Sequence, residues 1–223
     1  MEPSPQPPLR TLQQIVRGQV SGTCDFPDQQ RDRLLNQVRE RYGDGLQAVL
    51  IYGSYLRGKR DTLLDFYVLL DSYRSMPSTW QGWLCRALPP NVYQIFDGVP
   101  PDEIRAKYAL LTLAGFERAV SRDFHSYFWA RFAQPCGILY CRDDAVEQRV
   151  IEAISVACRT FTRRVVPALP DGFDARTLWA EGLARTYRCE FRSEPPGHAE
   201  QLFEYWPDYY REVTASIATG GVD

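Results

Sequence analysis

Hydrophobic positions along the chain alternate between two periods, and the change of period divides it. In QQRDRLLNQVRERY (29–42), Leu34, Leu35 and Val38 share one face of a predicted first helix, which Gly43 and Gly45 stop. QAVLIY (47–52) reads as a buried strand between Gly45 and Gly53. A glycine-containing basic loop, GSYLRGKRD (53–61), leads to LLDFYVLL (63–70), a second buried strand. Its faces alternate as Asp65, Tyr67, Leu69 and Phe66, Val68, Leu70. Residues 71–106 hold Trp80, Trp83 and the Pro89-Pro90 and Pro100-Pro101 doublets, and read as a short helix, a turn and an edge strand, NVYQIF. KYALLTL (107–113) is a third core strand.

From about 114 the four-residue period takes over. Phe116, Val120, Phe124, Phe128 and Phe132 form one aromatic stripe on a helix, read as core-facing. CGILYC (136–141) is a short strand. AVEQRVIEAISVACRTFTRRVV (145–166) is a long helix with Val146, Val150, Ile154, Ala157, Phe161 and Val165 inward, ended by Pro167 and Pro170. A helix over 174–187 and an aromatic segment to Tyr210 follow. The pattern predicts an α/β (α+β) fold in which a small mixed sheet gives way to a mostly helical second half. The divisions are a disordered tail at 1–9, a first domain at 10–115, a helical domain at 116–215 and a frayed tail at 216–223.

Composition narrows the class. With 223 residues, 44% hydrophobic and 24% charged, the chain is neither disordered, collagenous nor coiled coil. The balance of 26 Lys+Arg against 28 Asp+Glu offers no basic footprint, so nucleic acid is not an expected partner. No apolar run approaches the ~20 residues of a membrane span, and MEPSPQPPLR lacks the apolar core of a signal peptide. The expected location is cytoplasmic, with peripheral contact with a membrane surface allowed. Six scattered cysteines without C-x-x-C spacing, beside only His125 and His198, argue for reduced thiols rather than a zinc site. Trp80, Trp83, Tyr205, Trp206, Tyr209 and Tyr210 suit an interface or a core, and core packing is the expectation.

Chemistry concentrates in one segment, AVLIYGS followed by LLDFYVLL. Gly53 to Lys59 spells G-x-x-x-x-G-K, but Arg60 stands where a P-loop needs Ser or Thr, and a strand rather than a helix follows. The second scheme is that of the nucleotidyltransferases. There a Gly-Ser turn offers N–H groups and a hydroxyl to triphosphate oxygens, and an aspartate on the next strand holds magnesium against them. Ten residues separate Ser54 from Asp65, which suits adjacent strand ends. The superfamily's second carboxylate, two residues on, is replaced by Tyr67. Asp71 shares that face, but six strand residues span ~20 Å. Asp61, Glu117 and Glu190 are the candidates for another acid.

YGS (52–54) with LLDFYVLLD (63–71) resembles the mitochondrial-type phosphatidate cytidylyltransferases, the CDP-diacylglycerol synthases linked to translocator maintenance. Val92-Tyr93, AKYALLT (106–112), FWARFAQPCGIL (128–139) and TYRCEFR (186–192) are similar, in order, to further motifs of that family. Ala109 and Ala130 stand where the family has glycine, and the loop at Arg57, Lys59 and Arg60 is more basic. The resemblance implies a nucleotidyltransferase-like N-terminal domain and a helical second domain. It also implies magnesium-dependent transfer of CMP from CTP to phosphatidic acid, giving CDP-diacylglycerol and pyrophosphate. By position, Gly53, Ser54, Lys59 and Arg131 would bind nucleotide phosphates. Asp65 would hold the metal, Lys107 would neutralise phosphate, and Glu190 and Arg192 would serve the lipid head group. A nucleotidyltransferase with a non-lipid acceptor, and a degenerate domain that binds nucleotide without turnover, are the alternatives.

Overall fold

A computed structural model describes residues 10–22, 28–59, 62–87, 91–98, 103–190, 195 and 197–220. The tail at 1–9, Cys24, Arg60, Asp61, the two proline doublets and Arg192 lie outside the described residues. The architecture is mixed α/β. Five strands, β1 (Leu46–Tyr52), β2 (Leu64–Leu70), β3 (Asn91–Asp97), β4 (Ile104–Thr112) and β5 (Gly137–Cys141), form one sheet in the order β3-β4-β2-β1-β5. Only β2 and β4 run parallel; the other pairs are antiparallel. The helices among the described residues are α1 (Leu12–Gly22), α2 (Asp28–Tyr42), α3 (Thr79–Ala87), α4 (Leu113–Arg122) and α5 (Ser126–Phe132). They continue with α6 (Asp144–Val165), α7 (Ala175–Cys189), α8 (His198–Tyr205) and α9 (Pro207–Gly220).

The alternation in β2 sorts the core into two layers. Phe66, Val68 and Leu70 pack with Val49, Ile51, Tyr108 and Leu110 beneath Leu34, Leu35, Val38 and Tyr42 of α2. Tyr67 and Leu69 join Ala48, Leu50, Ala109 and Leu111 in a larger core shared with α1 and the helices of the second half. The long helix α6 runs through that core, its stripe from Val146 to Val165 buried as its period requires. Asp143 caps it by accepting from the Val146 N–H at 2.8 Å. Against α6 the α7 backbone comes close: a Cβ on Gly182 would sit 2.6 Å from Phe161 Cζ. The Phe161 ring stacks on Trp179 at 4.6 Å.

Four expectations from the sequence are corrected. The stripe from Phe116 to Phe132 is not one helix, because α4 ends at Arg122 and α5 begins at Ser126. Phe124 falls in the break and is 90% exposed. Arg164 donates to the carbonyls of Asp123 and Phe124, so a tertiary contact holds the break open against the local period. The segment before residue 29, given no element, contains α1, docked through Ile15, Val16 and Val20. Residues 216–220 are not frayed but form the last turn of α9, with Ile217 buried. Trp80 and Trp83 are not core residues: they stack on each other at 5.8 Å and are 65% and 62% exposed, whereas Tyr209 and Tyr210 are buried as expected. No helix among the described residues is long and apolar enough to cross a membrane.

Candidate functional site

The end of β1 starts the site. Tyr52 pairs with Asp65 across the antiparallel β1–β2 ladder, so the turn after β1 sits directly beside the acid on β2. Gly53 makes that turn at φ 92° and ψ −156°, a conformation almost closed to residues with a Cβ. A Cβ there would lie 3.3 Å from Asp65 Oδ2. Ser54–Arg57 then form one 3-10 turn, closed by Gly58, whose N–H donates to the Tyr55 carbonyl at 3.0 Å. The Lys59 N–H reaches back to the Ser54 carbonyl at 3.3 Å. The Ser54 hydroxyl donates to Thr62 Oγ1 at 3.1 Å, and Thr62 donates in turn to the Lys59 carbonyl. The turn is therefore tied to itself, and a phosphate bound by the Ser54 hydroxyl would replace the bond to Thr62. The next element described after this turn is the strand β2, not a helix.

The parallel β2–β4 register places Lys107 beside Asp65. Lys107 Nζ lies 3.0 Å from Asp65 Oδ1, an ion pair without the alignment of a directed hydrogen bond. Two residues on, Tyr67 points into the larger core, where its ring packs on Tyr52 at 5.1 Å, Phe132 at 5.0 Å and Phe128 at 5.9 Å. Burial above all drives the Tyr67 phenol well above its ordinary pKa, so the position that carries a second acid in the superfamily pattern is neutral here.

Above these tyrosines lies Arg131, projecting from α5. Its guanidinium stands 4.8 Å from the Tyr52 ring centroid and 4.3 Å from that of Tyr127, and it donates to Tyr52 Oη at 2.9 Å. Burial alone would lower its pKa. The phenol oxygens of Tyr67, Tyr52 and Tyr127, with the Glu190 carboxylate, outweigh that and raise it, so the cation is retained. Burial pushes Tyr52 up to about 12, partly offset by Arg131.

These groups line one cleft of about 390 Å³. Its floor is the open end of β1, β2 and β4, and its far wall comes from Tyr127, Gln134, Tyr187, His198 and Trp206. Among the described residues Asp65 is the single carboxylate of the lining, against Arg57, Lys107 and Arg131. A cleft with three cations and one acid suits a polyphosphate. Among the described residues no cluster of three metal-ligating side chains occurs. Asp65 alone fits magnesium only as one ligand among several, with phosphate and water supplying the rest, which is how that ion is commonly held.

The structure brings together Gly53, Ser54, Asp65, Lys107 and Arg131 as the sequence suggested, and adds Arg57 from the basic loop. Lys59 is exposed and not part of the lining. Glu190 is not in this cleft: it accepts from the Ser126 hydroxyl at 2.7 Å in an adjoining cavity. Glu117, offered as another acid, is engaged by Arg149 at 2.8 and 3.0 Å on α4. Of the far wall, Gln134 and Tyr187 lie in the FWARFAQPCGIL and TYRCEFR segments and Trp206 was read as a core aromatic, whereas Tyr127 and His198 were given no place in the site. The one available signal was His198, one of only two histidines. No family model matches the chain, and no curated protein shows significant similarity to it.

Proposed function

We propose that this chain is a nucleotidyltransferase that moves CMP from CTP to phosphatidic acid, forming CDP-diacylglycerol and pyrophosphate. The observation that carries the proposal is the convergence, in one cleft, of the Gly53–Ser54 turn, the Asp65–Lys107 pair and Arg131. A turn and an acid on the paired ends of β1 and β2 support a nucleotidyltransferase-like arrangement of the sheet. The choice of CTP and phosphatidate rests on the resemblance of the YGS and LLDF segments and the motifs that follow them.

In this reading a phosphate oxygen of phosphatidate attacks the α-phosphorus of CTP. The new P–O bond forms as the bond to the β-phosphate oxygen breaks, and pyrophosphate leaves with that electron pair. Magnesium, held by Asp65 and the phosphates, would supply charge neutralisation for the leaving group. The backbone N–H groups around Gly53 and Ser54 orient the triphosphate. Lys107 and Arg131 supply fixed positive charge where negative charge accumulates, which lowers the barrier without reorganisation. Arg131, sandwiched by Tyr52 and Tyr127, is held in place before substrate arrives.

One observation favours a second reading. With Tyr67 buried and neutral, the cleft has a single acid among the described residues, which suits a domain that binds nucleotide without turning it over. Pyrophosphate release measured with CTP and magnesium separates the readings. Release that requires phosphatidate supports the transferase, and release with a soluble acceptor instead moves the acceptor class. Tight CTP binding with no release under any condition supports the binding domain.

A further inference from the structure

Beside the cleft lies a second cavity of about 730 Å³, within the ordinary range for small-molecule sites. Among the described residues Tyr127 is the one that lines both. Trp129, Val165 and Ala168 give the second cavity an apolar wall, and Phe124 stands at it almost wholly in water. Held in the helix break by Arg164, the Phe124 ring meets only the His125 ring, at 6.1 Å, among the described aromatic residues. Arg164, Arg185 and Arg188 line the same cavity, against Glu190 as the one acid among the described residues. Arg164 is fixed, its guanidinium 5.0 Å from the Trp129 ring centroid while it donates to the Asp123 and Phe124 carbonyls.

An apolar trough with a cationic margin matches a molecule that is apolar at one end and anionic at the other. We propose that this cavity is an acyl-chain subsite, in which one chain of an anionic phospholipid lies along Trp129, Val165 and Ala168. Its phosphate is then directed past Tyr127 toward Arg131 and the cleft. The inference rests on the nucleotidyl-transfer reading for the direction of the head group. The cavity itself is a separate observation, with its own test.

The probe is a chain-brominated phosphatidate in nonionic detergent micelles, read by quenching of tryptophan fluorescence, with chain-brominated phosphatidylcholine as the neutral comparison. The wild type should be quenched by phosphatidate, more strongly than by phosphatidylcholine, and Trp129→Phe should remove most of the signal. Ala168 and Cys189 line the cavity at exposed positions, so Ala168→Phe and Cys189→Phe enlarge side chains without over-packing the core. Each should weaken phosphatidate binding about tenfold, the effect of excluding about two methylenes from burial. CTP binding should stay as in the wild type.

Equal quenching in Trp129→Phe, undiminished binding in both filled variants, or equal binding of the neutral lipid would overturn the subsite. Nucleotide transfer to a short-chain phosphatidate, retained while those outcomes hold, would leave the transferase standing without the cavity. Quenching with the expected pattern but no transfer to any phosphatidate would leave the cavity standing and remove the transferase.

Discussion

Replacing Lys107 by Met keeps the length of the side chain and removes its charge, and the structure sets what that should do. The Lys107–Asp65 pair is close at 3.0 Å, but the lysine side chain is 45% exposed and the aspartate 19%. Solvent screens such a pair, so its loss should cost about 0–1 kcal/mol of folding stability. For a chain of this length that is a drop in Tm of about 2–4 °C at most. Binding is different. A lysine donating to a nucleotide phosphate contributes a charge-assisted hydrogen bond of about 1.5–3 kcal/mol, and its loss should weaken CTP about 10- to 150-fold. Thermal melts of the free protein and titration calorimetry with CTP and magnesium read the two effects separately. A Tm lowered by more than about 10 °C with CTP affinity intact would refute the reasoning and make the pair a structural device.

Gly53→Ala forces a Cβ into a glycine-only conformation facing Asp65 Oδ2. It should cost about 1–3 kcal/mol in urea denaturation and impair CTP binding as well; unchanged stability would mean the turn relaxes freely. The hydroxyl of Tyr210 is buried with no hydrogen-bond partner among the described residues, so Tyr210→Phe should be neutral or stabilising by up to about 1 kcal/mol; a clear loss of stability would contradict this. Burial raises the phenol of Tyr52 to about 12 and lifts those of Tyr67, Tyr209 and Tyr210 as well. A raised folded pKa means that the native state keeps protons which the unfolded chain loses above about pH 10. Stability should therefore hold below pH 10 and fall as pH rises toward 12 and beyond, followed by denaturant midpoints and phenolate absorbance. A flat profile through pH 12 would contradict it.

The sheet and half of the cleft were legible because strand alternation is a local signal. LLDFYVLL fixes which residues face which layer, and the short link from Ser54 to Asp65 places turn and acid together. The parallel neighbour of Asp65 was not legible, because the residues between β2 and β4 leave the register of Lys107 free. Nor was the break at Phe124, where the four-residue period continues through residues that Arg164 holds out of the helix. In α1, Leu12, Ile15, Val16 and Val20 carry a helical spacing diluted by Gly18, an interior glycine that costs about 1 kcal/mol relative to alanine. That helix is supported by long-range contacts such as Arg10 to Glu212, Arg17 to Glu147 and Gln13 to Glu152. The far wall of the cleft has the same cause. Tyr187, His198 and Trp206 join the lining with Asp65 through the packing of α7 and α8.

In the proposed function the cleft at Asp65 transfers a nucleotidyl group to a lipid phosphate. Incubation with CTP labelled at the α-phosphate, magnesium and phosphatidate, followed by solvent extraction, tests it most directly. Label should appear in the organic phase with wild-type protein, and not with Asp65→Ala that remains folded. Label confined to the aqueous phase with folded wild type, or organic label undiminished in Asp65→Ala, would contradict it.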